Sequence, residues 1–254
     1  IAHKVEVSPR PALVEFERDF FGNAVSVVTI EDSHTELSID ATAEVEVSYG
    51  EPHQGPGMKW EEVADLALHG HDMSSQAPAH YMFASPRIQL SVDVTRYTRE
   101  SFADSRGIIE ATRDLIARIK RDFDYQPEST EIWTPLQQAF AARRGVCQDF
   151  AHLQIACLRA FGLAARYVSG YLVTRPLPGK QKLVGADASH AWLSVFFPGR
   201  GWIDFDPTNN CLPNEEHITL AWGRDYFDVA PIKGLYLGGG TSTLHVSVDV
   251  GENT

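Results

Sequence analysis

A chain of 254 residues with 43% hydrophobic and 22% charged residues can bury the core of one large globular domain or of two ordinary ones. Its formal net charge of −12 argues against nucleic-acid phosphates or an anionic membrane surface as partners. No apolar run reaches the ~20 residues that span a bilayer.

Residues 1–50 alternate as strands do: Lys4-Val5-Glu6-Val7, then Ala24 to Ile30, then Ala43-Glu44-Val45-Glu46-Val47. Gly22-Asn23 and Glu31-Asp32-Ser33-His34 supply turns, so an antiparallel β unit with one wet face is expected. Residues 51–80 are rich in Pro, Gly, His and Ser, with a short helix expected over Lys59–Leu68. His69, His71, Asp72 and His80 fit no helix or strand face, and a solvated loop is preferred to a metal cluster. From Val92 the period becomes helical. Ile108, Ile109, Leu115, Ile116, Ile119 and Phe123 make one apolar stripe.

Thr134-Pro135 predicts a helix with Thr134 as N-cap, ending at Gly145. A second helix should begin at Cys147 and stop at Gly162. Ala165 to Val173, Ala191–Phe197, Trp202–Phe205 and Thr243–Val250 read as strands, and Pro176–Gly185, with Lys180 and Lys182, as a loop. The order gives an α+β chain: a β-rich N-terminal domain over residues 1–95 and a second domain over 96–254.

Cys147 carries the chemistry. A thiol in the first turn of a helix lies among unpaired N–H groups at the positive end of the dipole, a setting that favours thiolate. Cys157 and Cys211 suit small buried hydrophobes. Three cysteines make no disulfide framework, and no CxxC or Cys/His zinc spacing occurs. Free thiols suit a reducing compartment, so the cytoplasm is the expected location.

A nucleophilic thiol needs a base. His152 shares the helix but points ~140° away from Cys147 at 100° per residue. His190, in Ser189-His190-Ala191-Trp192, comes from another element and can face the sulfur across a cleft. Asp204 and Asp206 compete to orient it. If Pro198–Arg200 is a three-residue hairpin loop with Gly201 as the bulge residue, Phe197 opposes Gly201 and Trp192 opposes Asp206. Asp206 is then a diagonal neighbour of His190, ~7–8 Å away between backbones, and is preferred. The Cys147 N–H is the natural oxyanion donor, with the Gln148 side chain a candidate second one.

Gly145-Val146-Cys147-Gln148-Asp149-Phe150-Ala151-His152, Ala165 to Tyr171, Ser189 to Trp192 and Gly201 to Asn209 resemble the bacterial transglutaminase-like family, whose members are described as cysteine proteases. Asp19-Phe20-Phe21-Gly22-Asn23 and Gly223 to Pro231 extend the resemblance over nearly the whole chain. It implies a papain-like, transglutaminase-like core with Cys147, His190 and Asp206 as triad. The Cys motif lacks the Gly-Gln-Cys-Trp of animal transglutaminases and no calcium-ligand run occurs, which weakens protein cross-linking as an activity and gives no reason for a metal or cofactor. Trp192, Trp202 and Tyr171 are candidates to line the cleft, although core packing suits them too. Arg224, Asp225 and Tyr226 are read as a structural brace, with Arg224 and Asp225 satisfying each other.

The expected function is a cysteine hydrolase that cleaves a peptide or isopeptide amide through a thioester. Its alternatives are acyl transfer to an amine and a catalytically silent peptide-binding module. The expected partner is a peptide or protein substrate, with no nucleic acid and no membrane.

Overall fold

Alternating apolar and polar residues give the N-terminal segment its strands, two of them away from the positions expected. The computed structural model describes residues 3–50, 55, 57–72, 74–173 and 188–251. Strand β1 (His3–Ser8) pairs antiparallel with β4 (Ser38–Ala43), and β2 (Leu13–Arg18) with β3 (Ala24–Thr29). The strand expected over 43–47 ends at Ala43 instead, because Val5 finds its partner in Ala41 and the register runs back to Ser38. Leu13–Arg18 pairs along its whole length with β3 while its side chains stay exposed. Gly22 makes the expected turn, at φ +87°, and the Asp19 carboxylate accepts the Phe21 and Asn23 N–H groups.

Helix α1 (Trp60–Leu68) follows, then α2 (Val92–Arg99), whose Ser91 cap accepts the Val94 N–H. Helix α3 (Ile108–Asp122) buries the anticipated stripe, with Phe123 just beyond it. A two-residue strand β5 (Asp124–Tyr125) leads to α4 (Leu136–Ala142). Pro135 rather than Thr134 stands at the cap of α4, and the Thr134 hydroxyl accepts the Glu131 N–H. That helix stops short of Gly145. Arg143 turns left-handed at φ 54°, and β6 (Arg144–Gly145) pairs parallel to β5.

Helix α5 (Cys147–Ala160) is buried from Asp149 through Arg159, as a helix covered on every side must be. Gly162 ends the turn after it at φ +73°. The main sheet has the order β10 (His217–Gly223), β7 (Ala165–Leu172), β8 (Ala188–Phe197), β9 (Gly201–Phe205), all neighbours antiparallel. A short α6 (Tyr226–Val229) is the last helix among the described residues. Residues 243–250 form no extended strand: Leu244 and Val246 are exposed, and pairing is limited to an isolated bridge at Val248.

Alternation on β8 divides the interior. Ala191, Leu193, Val195 and Phe197 join α3 and α5 in the larger apolar cluster, and Phe196 joins the smaller one with Phe21, Tyr81 and Met82. Val63, Ile88 and Val94, from the N-terminal side of the boundary expected near residue 95, sit in that larger cluster as well. Each such aliphatic side chain contributes about 1.5–3 kcal/mol by leaving water. The Pro176–Gly185 loop lies outside the described residues.

Candidate active site

Cys147 is the first residue of α5 because the chain just before it is held rigidly. The Asp149 carboxylate reaches back to the Val146 N–H at 2.9 Å and takes the Thr130 hydroxyl at 2.6 Å. This third-position carboxylate satisfies an otherwise orphaned donor and favours the helix N-terminus electrostatically. Gly145 permits the arrangement, since a Cβ there would lie 2.7 Å from Asp149 Oδ2. Cys147 is half-buried, Cys157 is buried and Cys211 intermediate, all as free thiols. Burial pushes the Cys157 thiol up to about 12. Burial, with the Asp206 and Glu216 charges, pushes Cys211 up to about 11.

The hairpin has the expected odd loop. Phe197 pairs with Gly201 and Leu193 with Phe205, so Trp192 stands level with Asp206 just past β9. His190 Nε2 lies 2.8 Å from Asp206 Oδ2, leaving Nδ1 as the nitrogen available to Cys147. Burial works against a charged His190, but hydrogen bonds to Asp206 and Cys147 outweigh it and raise the imidazole to about 9. Asp206 is itself fully buried. Burial would push its carboxyl up, yet N–H donors from His190, His217 and Asn209 hold it well below the usual carboxylate range. Oδ1 accepts the Thr208 and Asn209 backbone N–H groups.

Asp204 takes a different post. It accepts the Trp192 indole N–H at 3.0 Å and the Ser194 hydroxyl, one step farther along the sheet. Trp192 is therefore packing beneath the site, fully buried, rather than a wall of an open cleft. Tyr171 is half-buried on β7, opposite Ser189. Trp202 lies against the Arg166 guanidinium, 4.5 Å from its ring centre, and edge-on to Tyr81. The Gln148 amide donates to the Ile132 carbonyl at 3.1 Å, which fixes the loop before α4 beside the thiol and commits one of its two N–H bonds.

The brace at 224–226 is built otherwise than expected. Arg224 pairs with Asp228 at 2.9 Å, while buried Asp225 caps α6 through the Phe227 N–H and holds the Arg87 N–H at 2.8 Å. Sequence neighbours on an extended cap residue point apart, whereas four residues of helical turn bring Arg224 and Asp228 together. The Tyr226 N–H donates to His152 Nε2 at 3.2 Å, so His152 is a buried acceptor far from proton transfer.

His217 is the residue that sequence reasoning missed. Its Nε2 lies 3.2 Å from Asp206 Oδ2, the oxygen that also faces His190. A metal would find His190, Asp206 and His217 ligand atoms within 4.8 Å of one another. That oxygen already accepts from both imidazoles and from Asn209 Nδ2 at 2.7 Å, so the trio is a satisfied hydrogen-bonded cluster. His69, His71, Asp72 and His80 are exposed or half-exposed and do not converge: His69 bonds Asp65, Asp72 bonds Ser74, and His80 meets the Ser74 carbonyl. Among the described residues no helix is long and apolar enough to cross a membrane.

Residues 95–207 match the family described as the transglutaminase-like superfamily, and residues 1–46 the bacterial transglutaminase-like N-terminal region. An uncharacterised Mycobacterium tuberculosis protein is 42% identical over 98% of this chain and 81% of its own. A Pseudomonas aeruginosa protein-glutamine gamma-glutamyltransferase is 31% identical over 48% of this chain and 20% of its own. The solved structure of a "putative cysteine protease" from Cytophaga hutchinsonii superposes with a TM-score of 0.65 at 22% identity, over 91% of this chain and 72% of that one, a likeness of fold.

Proposed function

The chain belongs to the transglutaminase-like superfamily of papain-like thiol enzymes, and on that premise we propose that it is a cysteine hydrolase cleaving a peptide or isopeptide amide through Cys147, His190 and Asp206. The observation that carries this reading is the placement of His190, bonded to Asp206 at 2.8 Å on one side and to Cys147 on the other.

In the first half-reaction Cys147 Sγ attacks the amide carbonyl carbon. The oxyanion is met by the Cys147 N–H at the head of α5, and the C–N bond breaks as His190 gives its proton to the leaving amine. Asp206 keeps the ring oriented and offsets its charge. In the second, His190 takes a proton from water as the hydroxide adds to the thioester carbonyl, the C–S bond breaks, the acid leaves, and the Cys147 thiolate and His190 imidazolium are restored. Exposed Tyr125, Ile132 and Trp133 flank the Cys147 end of α5, an apolar surface suited to a peptide chain. Three free thiols favour a reducing compartment such as the cytoplasm.

Iodoacetamide at pH 6, with peptide mapping, tests the reading. Cys147 should be alkylated stoichiometrically while Cys157 and Cys211, both raised in pKa by burial, stay unmodified. Equal sluggishness of all three thiols would favour a silent binding module. Acyl transfer is a second reading of the same thioester, favoured by the Pseudomonas relative that bears a transferase name. Adding a primary amine to an acyl-donor assay separates the two, free acid marking hydrolysis and a new amide marking transfer, with Cys147→Ala inert in both.

A further inference from the structure

His217 is a buried titratable side chain to which the thioester steps give no task. It lies beyond residues 95–207, the span matched by the superfamily core. Its Nε2 faces Asp206 Oδ2 at 3.2 Å, and because a carboxylate only accepts, that nitrogen carries a proton; Nδ1 meets both the Asn214 backbone N–H at 3.3 Å and the Asn214 side-chain oxygen at 3.2 Å. Gly170 of β7 opens the path. It pairs with His190 on one side and Thr219 on the other, and a Cβ there would lie 2.4 Å from the Trp192 ring and 2.2 Å from the Ile218 carbonyl. Trp192 can therefore cross β7 and stand edge-on to His217 at 5.4 Å. The Tyr49 hydroxyl ties the His217 carbonyl at 3.0 Å.

We propose that His217 is a positioning residue of the thiol site: its Nε2–H fixes the Asp206 oxygen that His190 uses and draws off part of that oxygen's charge. The proposal rests on the Cys147, His190 and Asp206 reading given above. With His217 removed, Oδ2 would keep only His190 and Asn209 and become a stronger anion beside the imidazolium. An imidazolium clamped more tightly gives its proton to a leaving amine less readily. The other charged or titratable groups around His217 are Asp204 across the Trp192 indole, Cys211 and Glu216 on the segment before β10, and the Tyr49 phenol.

The test is the His190 titration, followed by NMR of isotope-labelled full-length chain, in wild type, His217→Leu and His217→Gln. Leu fills the space without a donor, whereas Gln sets an amide N–H where the imidazole N–H stood. The His190 midpoint should rise by about one unit in the Leu variant and return to within about 0.3 in the Gln variant. An unchanged midpoint in a folded Leu variant overturns the proposal, as does a Gln variant that behaves like Leu. Should the Leu variant not fold, the wild-type spectrum decides: the His217 ring proton must reside on Nε2 near neutral pH, and a bare Nε2 overturns it. Selective alkylation of wild-type Cys147, run on the same sample, keeps the two failures apart. Its absence sinks the thiol reading, while its presence with an unmoved His190 sinks only the role of His217.

Discussion

Asp206 Oδ2 accepts from His190, His217 and Asn209, while Oδ1 accepts from two backbone amides. Whichever oxygen an Asp206→Asn substitution replaces, an NH2 group then faces N–H donors in a dry interior, and leaving such a group unpaired costs about 1–3 kcal/mol. The same change removes the anion that sustains a charged His190. Activity that needs the imidazolium should fall as pH rises through about 9 in the wild type. In Asp206→Asn that limb should move down toward the ordinary histidine range, with a loss of about 100-fold or more at neutral pH. Rate profiles from pH 5 to 10 decide the matter, and a limb that stays in place would detach Asp206 from the base.

At the scale of elements, the Cys147 helix and the β8–β9 hairpin were legible for local reasons. Gly201 has φ +80°, so an odd loop with a glycine bulge fixed the register, and register alone brings Asp206 to His190. His217 was not legible, because it opens a strand that reaches the site only across β7, and that pairing is long-range. The run His217-Ile218-Thr219-Leu220-Ala221-Trp222 has strand character, and it was the one available signal. The Arg224 partner was missed for want of α6, which brings Asp228 around by one turn. The head of α5 yields a prediction from its own geometry. Gly145→Ala places a Cβ 2.7 Å from Asp149 Oδ2, so the carboxylate must swing off the Val146 N–H and the Thr130 hydroxyl. Losing that cap should cost about 1 kcal/mol, lower the melting temperature by several degrees and slow Cys147 alkylation. Unaltered melting and alkylation together would show that Asp149 does not set the helix start.

Two buried histidines make opposite contributions to the pH response of the whole molecule. Burial, reinforced by the Arg87 and Arg159 charges, lowers His152 to about 3, so the folded protein resists protonating a ring that the unfolded chain protonates near 6.5. Its contribution is present above about pH 6.5 and is lost as pH falls toward about 3. His190 is raised to about 9, so its contribution is full below about 6.5 and disappears as pH rises through 9. Because His152 links α5 to α6 through the Tyr226 N–H and His190 links β8 to Asp206, each limb loosens a different seam of one core. Thermal melts from pH 4 to 10 should therefore peak near pH 6–7 and fall on both sides. His152→Gln, which keeps an acceptor for Tyr226 but cannot take a proton, should flatten the acid limb and leave the alkaline limb alone. An acid limb equally steep in that variant would remove His152 as its source, and Asp206 could not replace it, since a carboxyl held below its unfolded value of 3.8 loses its contribution only below that pH.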